Sequence, residues 1–343
     1  MLKDRLRSSA ILITIISILI YLDRNHGLTG AEGLWLFPVL MFFALGTSHD
    51  ASTMLLRSGQ CVDRLTTLIA TALITAMGYI PHLWPLMGDE YPANCPVGRL
   101  GWLVIGTAAG IFLIIGKEMI RYGADHEARR GRADAENAPK SENQTSGEGP
   151  SMVALGRIAN GSFIAIYVGL PLALLVALRS LGTGNWGLAA LLTTIAVTKS
   201  TDAGAYFTGK AIGKHKLIPR LSPGKTWEGS IGGVITAMLV AYACLTWLFP
   251  AICGSSSPPA SSPSIAALAN PLIGSIVLGG LLAITGMLGD LAESLVKREC
   301  GAKDSGQLLP GLGGVWDVTD SLIFASIPAF LCFASGVAGV VTP

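Results

Sequence analysis

Charge is scarce in this chain: Asp, Glu, Lys and Arg make up 13% of its 343 residues, against about 25% in an ordinary soluble domain. With 51% hydrophobic residues, that shortage excludes a typical soluble protein and predicts an integral membrane protein. Cysteine pairs of the CxxC type are absent too. The six cysteines (Cys61, Cys95, Cys244, Cys253, Cys300, Cys332) are scattered, which excludes a zinc ribbon or a thioredoxin-type centre and leaves most as small apolar fillers. Cys95 and Cys253 fall on one predicted outer face, where a disulfide is open but not required. The histidines show no metal-ligand spacing. No small-residue cleavage site follows the basic start (Lys3, Arg5, Arg7) before Asp23-Arg24, so the first apolar run is expected to be a retained helix and not a leader.

What is present is a series of apolar runs. A span needs about 20 mostly apolar residues, and nine stretches approach this: 8–22, 31–47, 65–84, 101–120, 158–178, 186–198, 231–250, 271–289 and 321–341. The fold class expected is therefore an all-α integral membrane protein of about nine transmembrane helices. The first and sixth runs are short. The sixth is expected to continue as helix past Lys199 into Thr201-Asp202-Ala-Gly-Ala-Tyr-Phe. All but three of the 24 basic residues (Arg24, Arg99, Arg179) then fall on one side, which by the positive-inside rule places the N-terminus and the motif-bearing loops in the cytoplasm. The chain divides into N-terminal membrane helices (1–122), a polar, flexible cytoplasmic loop (123–151) and a C-terminal catalytic membrane domain (152–343). A second flexible loop, uncharged and Ser/Pro-rich, covers 254–264. The 42 glycines predict close helix contacts.

Two polar segments carry the chemistry. In the first, Gly224-Lys225-Thr226 invites a P-loop reading, but that motif needs glycine where Pro219 stands. What remains is a basic, glycine-rich segment suited to phosphates. Within it Ser222, Lys225, Thr226 and Glu228 are site candidates, whereas Lys210, Lys214, Lys216 and Arg220 read more simply as surface charge. In the second, Asp290, Glu293 and Lys297 lie at i, i+3, i+7 on one helix face, and Asp317 and Asp320 are again i, i+3. Carboxylates converging from two helix ends suit a divalent cation, Mg²⁺ above all. The alternative is mutual pairing of these carboxylates with Lys297, Arg298 and Lys303 as structural salt bridges. Pro310-Gly-Leu-Gly-Gly314 supplies the turn between the halves.

The run Ser294-Leu-Val-Lys297-Arg298-x4-Lys303-Asp304-x-Gly306-x2-Leu309-Pro310-x-Leu312-Gly313-Gly314-Val-x-Asp317-Val318-Thr-Asp320 resembles the signature of the phosphatidate cytidylyltransferases, the CDP-diacylglycerol synthases. Asp202-Ala-Gly-Ala-Tyr-Phe and Ser222-Pro-Gly-Lys225-Thr226-Trp-Glu228-Gly resemble that family's other shared stretch. The resemblance covers about residues 190–325, with two departures: Leu312 stands where the family has His, and Val318 where it has Arg. It implies transfer of CMP from CTP to phosphatidate at the cytoplasmic face of a bacterial inner membrane, with Mg²⁺ on Asp290, Asp317 and Asp320. Lys225, Lys297, Arg298 and Lys303 would neutralise phosphate charge, with Asp304 beside them. Asp202, Ser222, Thr226, Glu228, Glu293 and Ser294 would bind or orient substrates. CTP, phosphatidate and the bilayer are the partners expected, a homodimer is left open, and no nucleic acid is expected. The competing readings are a CTP-dependent lipid-alcohol kinase, a divergent or inactive lipid-binding paralogue, and, less favoured, a transporter.

Overall fold

The computed structural model describes residues 2–27, 31–92, 94–135, 150–182, 184–253, 267–311 and 313–338. Its helices, in our numbering, are α1 (Leu2–Asn25), α2 (Phe37–Arg57), α3 (Arg64–Met77), α4 (Gly98–Ala135), α5 (Pro150–Arg179) and α6 (Trp186–Ile212). Then follow α7 (Trp227–Cys253), α8 (Pro271–Glu299) and α9 (Trp316–Ala334). A hairpin of β1 (Lys216–Ile218) and β2 (Ser222–Thr226), antiparallel, separates α6 from α7. Among the described residues this hairpin is the only named sheet. The all-α, multi-pass membrane architecture is as expected.

A helix lies at each of the nine expected spans, but they are not equal. Seven are long and apolar enough to cross a membrane, and an eighth is added if α3 and its continuation Ile80–Leu86, bent by 52°, count as one. The bend falls at Gly78-Tyr79-Ile80-Pro81, and Pro81 can donate no backbone hydrogen bond. α6 is long enough, but Lys199, Asp202 and Lys210 in its second half make it too polar. It continues past Lys199 as expected, and further, to Ile212. The last helix begins at Trp316 and not at 321, so Asp317 and Asp320 lie in its first turns. α4 runs on to Ala135, so the loop expected from 123 opens as helix, its Ala, Arg and Glu residues being good helix formers. Residues 136–149 and the outer loop 254–264 lie outside the described residues, as does Leu312.

Caps fix the helices that matter for function. Asn270 accepts from the Leu272 N–H at 2.9 Å at the start of α8, with Pro271 following. Thr226 ends β2 and accepts from the Gly229 N–H at 3.1 Å, opening α7. Both are the polar N-caps that satisfy otherwise unpaired first-turn donors. The main core joins α2, α5, α6, α7, α8 and α9 around Leu172, Leu188, Leu282, Ile323 and Phe333, each at most 1% exposed. α6 and α7 approach closely because Gly232 faces Thr208 with no room for a Cβ, the kind of contact that the glycine content predicts. All six cysteines are free, so Cys95 and Cys253 are not bonded.

Candidate active site

Three helices and the hairpin bring the charged residues together. The second half of α6 supplies Lys199 and Asp202, β2 supplies Lys225, the end of α8 supplies Asp290, Glu293 and Lys297, and the first turns of α9 supply Asp317 and Asp320. α8 and α9 can meet here because Gly289 lies flush against the Asp320 carbonyl, where a Cβ would overlap it. One oxygen each of Asp290, Glu293 and Asp320 lies within 4.8 Å of the others. Lys225 Nζ sits 2.7 Å from Asp290, and Lys199 Nζ 4.0 Å from Asp320. Lys199 Nζ also donates to the Val318 carbonyl at 2.8 Å and to Ser321 Oγ at 3.0 Å. The Ser321 hydroxyl in turn donates to Asp202 at 3.4 Å.

Asp317 has a different duty. It accepts from Lys297 Nζ at 2.8 Å, from Ser305 N–H at 3.1 Å and Oγ at 2.9 Å, and from the Gly314 N–H at 2.7 Å. The expected metal set was Asp290, Asp317 and Asp320; the converging set is Asp290, Glu293 and Asp320, while Asp317 anchors the glycine-rich turn. Glu293 is 1% exposed. Its Oε2 receives Lys297 Nζ at 2.9 Å, whereas its Oε1 is buried with no hydrogen-bond partner.

These groups fit a divalent cation. Five carboxylates (Asp202, Asp290, Glu293, Asp317, Asp320) face three ammonium groups (Lys199, Lys225, Lys297), a formal surplus of two negative charges. Buried surplus charge is costly unless something neutralises it. All-oxygen ligation from a few carboxylates, with room left for water and phosphate, is the pattern Mg²⁺ takes. Beside the trio opens a cavity of about 400 Å³, whose walls include Asp202, Lys210, Ser222, Lys225, Thr226 and Asp290.

The remaining expected site residues are more dispersed. Arg298 is exposed and donates to the Leu221 carbonyl at 3.5 Å and the Ala302 carbonyl at 3.4 Å, so it braces the hairpin. Lys303 and Asp304 are exposed on the loop after α8, and Ser294 is buried within that helix. Glu228 accepts from the His215 backbone and holds its Nδ1 at 2.6 Å, closing the base of the hairpin. Two residues read as topology or surface charge belong here: Lys199 in the carboxylate cluster and Lys210 on the cavity wall. The signal for Lys199 was present, since it precedes Asp202 by one helical turn at the end of an apolar run.

The model of the cytidylyltransferase family matches residues 3–335. The phosphatidate cytidylyltransferase of Haemophilus influenzae is 42% identical over 147 residues, 43% of this chain and 46% of that protein. Those of Brucella suis, 42% over 173 residues (50% and 55%), and Bacillus subtilis, 38% over 169 residues (49% and 55%), are similar. The chain thus spans about half the length of the curated relatives it matches.

Proposed function

This chain belongs to the cytidylyltransferase family, and on that premise we propose that it transfers the cytidylyl group of CTP to phosphatidate, giving CDP-diacylglycerol and pyrophosphate. The observation that carries the reading is the carboxylate trio of Asp290, Glu293 and Asp320 beside a cavity lined with Lys210, Lys225, Ser222 and Thr226. Cations and hydroxyl donors around a metal-fitting acidic cluster are what a triphosphate and a lipid phosphate both need.

A phosphate monoester has a second pKa of about 6, so the lipid phosphate oxygen is nucleophilic without a protein base. It attacks the α-phosphorus of CTP in line; the new P–O bond forms as the α–β anhydride bond breaks, and pyrophosphate leaves with the electron pair. Catalysis is then mainly positioning and charge neutralisation. Asp290, Glu293 and Asp320 would hold Mg²⁺, which when bound neutralises charge on the phosphate oxygens. Lys225 and Lys210 face the cavity as phosphate partners, and Ser222 and Thr226 offer hydroxyl groups. Lys297, fixed between Glu293 and Asp317, orients the trio from behind. Lys199 occupies the ground next to Val318, where the related signature has Arg, and supplies a cation there.

We place the protein in the bacterial inner membrane with its N-terminus and site cytoplasmic, on the strength of the basic-residue bias. In this reading α3 with its bent continuation, and α6, cross alongside the seven clearly apolar helices, giving nine crossings. The test is product analysis with detergent-purified protein, Mg²⁺, phosphatidate and CTP labelled at the α-phosphate. Label in a lipid product with equimolar pyrophosphate supports the cytidylyltransferase. CDP together with a phosphorylated lipid alcohol, when a polyprenol replaces phosphatidate, supports the kinase instead.

A further inference from the structure

All the groups assigned above come from α6 to α9 and the hairpin, yet the turn that sets Asp317 is held from α2. Asp50 is 2% exposed and is the only carboxylate of α2. Its Oδ2 accepts from the Val315 N–H at 2.5 Å and the Trp316 N–H at 3.3 Å. Asp50 lies 265 residues before Val315 in the chain. Val315 is the N-cap position of α9 and provides no side-chain cap of its own. Asp50 is therefore the cap, delivered from the other end of the sequence.

The packing around it leaves no slack. A Cβ on Gly306 or on Gly314 would overlap the Asp50 carboxyl group, so the turn lies flush against the carboxylate on two sides. One turn earlier on α2, Thr47 Oγ1 meets Thr319 Oγ1 at 2.7 Å. Three successive N–H groups of the turn are divided between two carboxylates: Gly314 goes to Asp317, and Val315 and Trp316 go to Asp50. Among the described residues no Lys or Arg pairs with Asp50, and His49 Nδ1 lies 3.6 Å from its Oδ1. A Ser or Thr would cap a helix more cheaply in an apolar span. A carboxylate binds backbone N–H groups more strongly and is favoured by the helix dipole.

We infer that Asp50 is a positioning residue for the reaction, the outer jaw of a two-carboxylate clamp on the signature turn. Through that turn it fixes Asp317, through Asp317 it fixes Lys297, and so the carboxylate trio. The N-terminal helices are then a template for the active site and not only a membrane anchor. The catalytic half of this inference rests on the cytidylyltransferase reading; the structural half does not.

The experiment compares full-length wild type with Asp50→Asn, Asp50→Ser and Asp50→Ala in detergent. Two readouts are taken: kcat and KM per folded molecule, and hydrogen exchange of the peptide containing Val315 and Trp316. Asp50→Ala is expected to lower kcat about 10–100-fold, the range for groups that orient metal ligands, with KM for CTP changed little. Asp50→Asn, which keeps an acceptor oxygen, should recover most of the loss. Exchange should rise in the Val315–Trp316 peptide while the middle of α8 stays protected. Unchanged kcat and unchanged exchange in Asp50→Ala, or a loss of protection spread over the whole protein with normal kcat in the folded fraction, would overturn it. If Asp50→Ala does not fold, Asp50→Ser decides by the same criteria. A wild-type protein that does not turn over CTP and phosphatidate counts against the reaction, while the exchange result still judges the clamp.

Discussion

The two ends of α6 bury charge in opposite ways. Near its start, Asp23 and Arg179 form an ion pair at 2.6 Å with side chains 0% and 2% exposed, and Arg179 also donates to the Gly184 carbonyl at 3.3 Å. Among the described residues no group of three acidic side chains converges there. In its second half, α6 joins five carboxylates to three ammonium groups beside an open cavity. Asp23 Oδ1 and Glu293 Oε1 are both buried without a hydrogen bond, so a single unpaired oxygen does not mark a metal site. Convergence, surplus charge and access together do. The first cluster ties α1 to α5; the second is arranged to receive something.

That contrast can be broken first where the effect is largest. Asp320→Asn removes a trio ligand and should lower cytidylyl transfer on the order of a thousandfold, the scale seen when a preorganised electrostatic group is lost, with expression and thermal unfolding nearly unchanged. Asp317→Asn should match it in activity but also loosen the turn, since four bonds converge on that carboxylate. Steady-state rates beside thermal melts separate the two. At the other end, Arg179→Met leaves Asp23 buried and unpaired and should cost about 3–5 kcal/mol of stability. Activity per folded molecule should be unchanged, and Asp23→Asn added to it should restore part of the stability.

Lys199→Ala should reduce the rate about 10–100-fold by removing the cation that orients the Asp320 side of the trio, and Val318→Arg added to it should return much of the activity. If the double variant stays as slow as the single one, Lys199 is not standing in for a signature arginine. Smallest is Asp63, which accepts from the Thr66 N–H at 3.3 Å and meets Arg121 at 2.7 Å. Burial alone would raise its pKa, but the Thr66 N–H and Arg121 outweigh it and hold the carboxyl below its ordinary value of 3.8. A depressed folded pKa stabilises above the unfolded value, and that stability is lost as pH falls through and below 3.8. Asp63→Asn should therefore lower stability slightly at neutral pH and flatten the acid limb, the two stability–pH curves converging below the folded pKa.

Much of this was legible in the sequence. Asp290, Glu293 and Lys297 do share one face of α8, because helical spacing is a local property. The extension of α6 past Lys199 was legible for the same reason. Which carboxylates converge was not, because Asp317 and Glu293 exchange roles through contacts between helices: Lys297 reaches both. The bend after Met77 is written in Gly78 and Pro81, but hydropathy averages across it. The hairpin at 216–226 is too short to announce itself by alternation. Asp50 was invisible because its partners lie at Val315 and Trp316, and nothing in the local pattern of α2 says what a lone aspartate faces.

On this reading the open cluster, and not the Asp23–Arg179 pair, takes a divalent cation. Mn²⁺ binding followed by electron paramagnetic resonance on the purified protein tests it without any substrate. One Mn²⁺ per chain is predicted for wild type and for Asp23→Asn, with binding lost in Asp290→Asn combined with Asp320→Asn and competed away by Mg²⁺. Equal binding by wild type and the double variant, or none by wild type, would contradict the account.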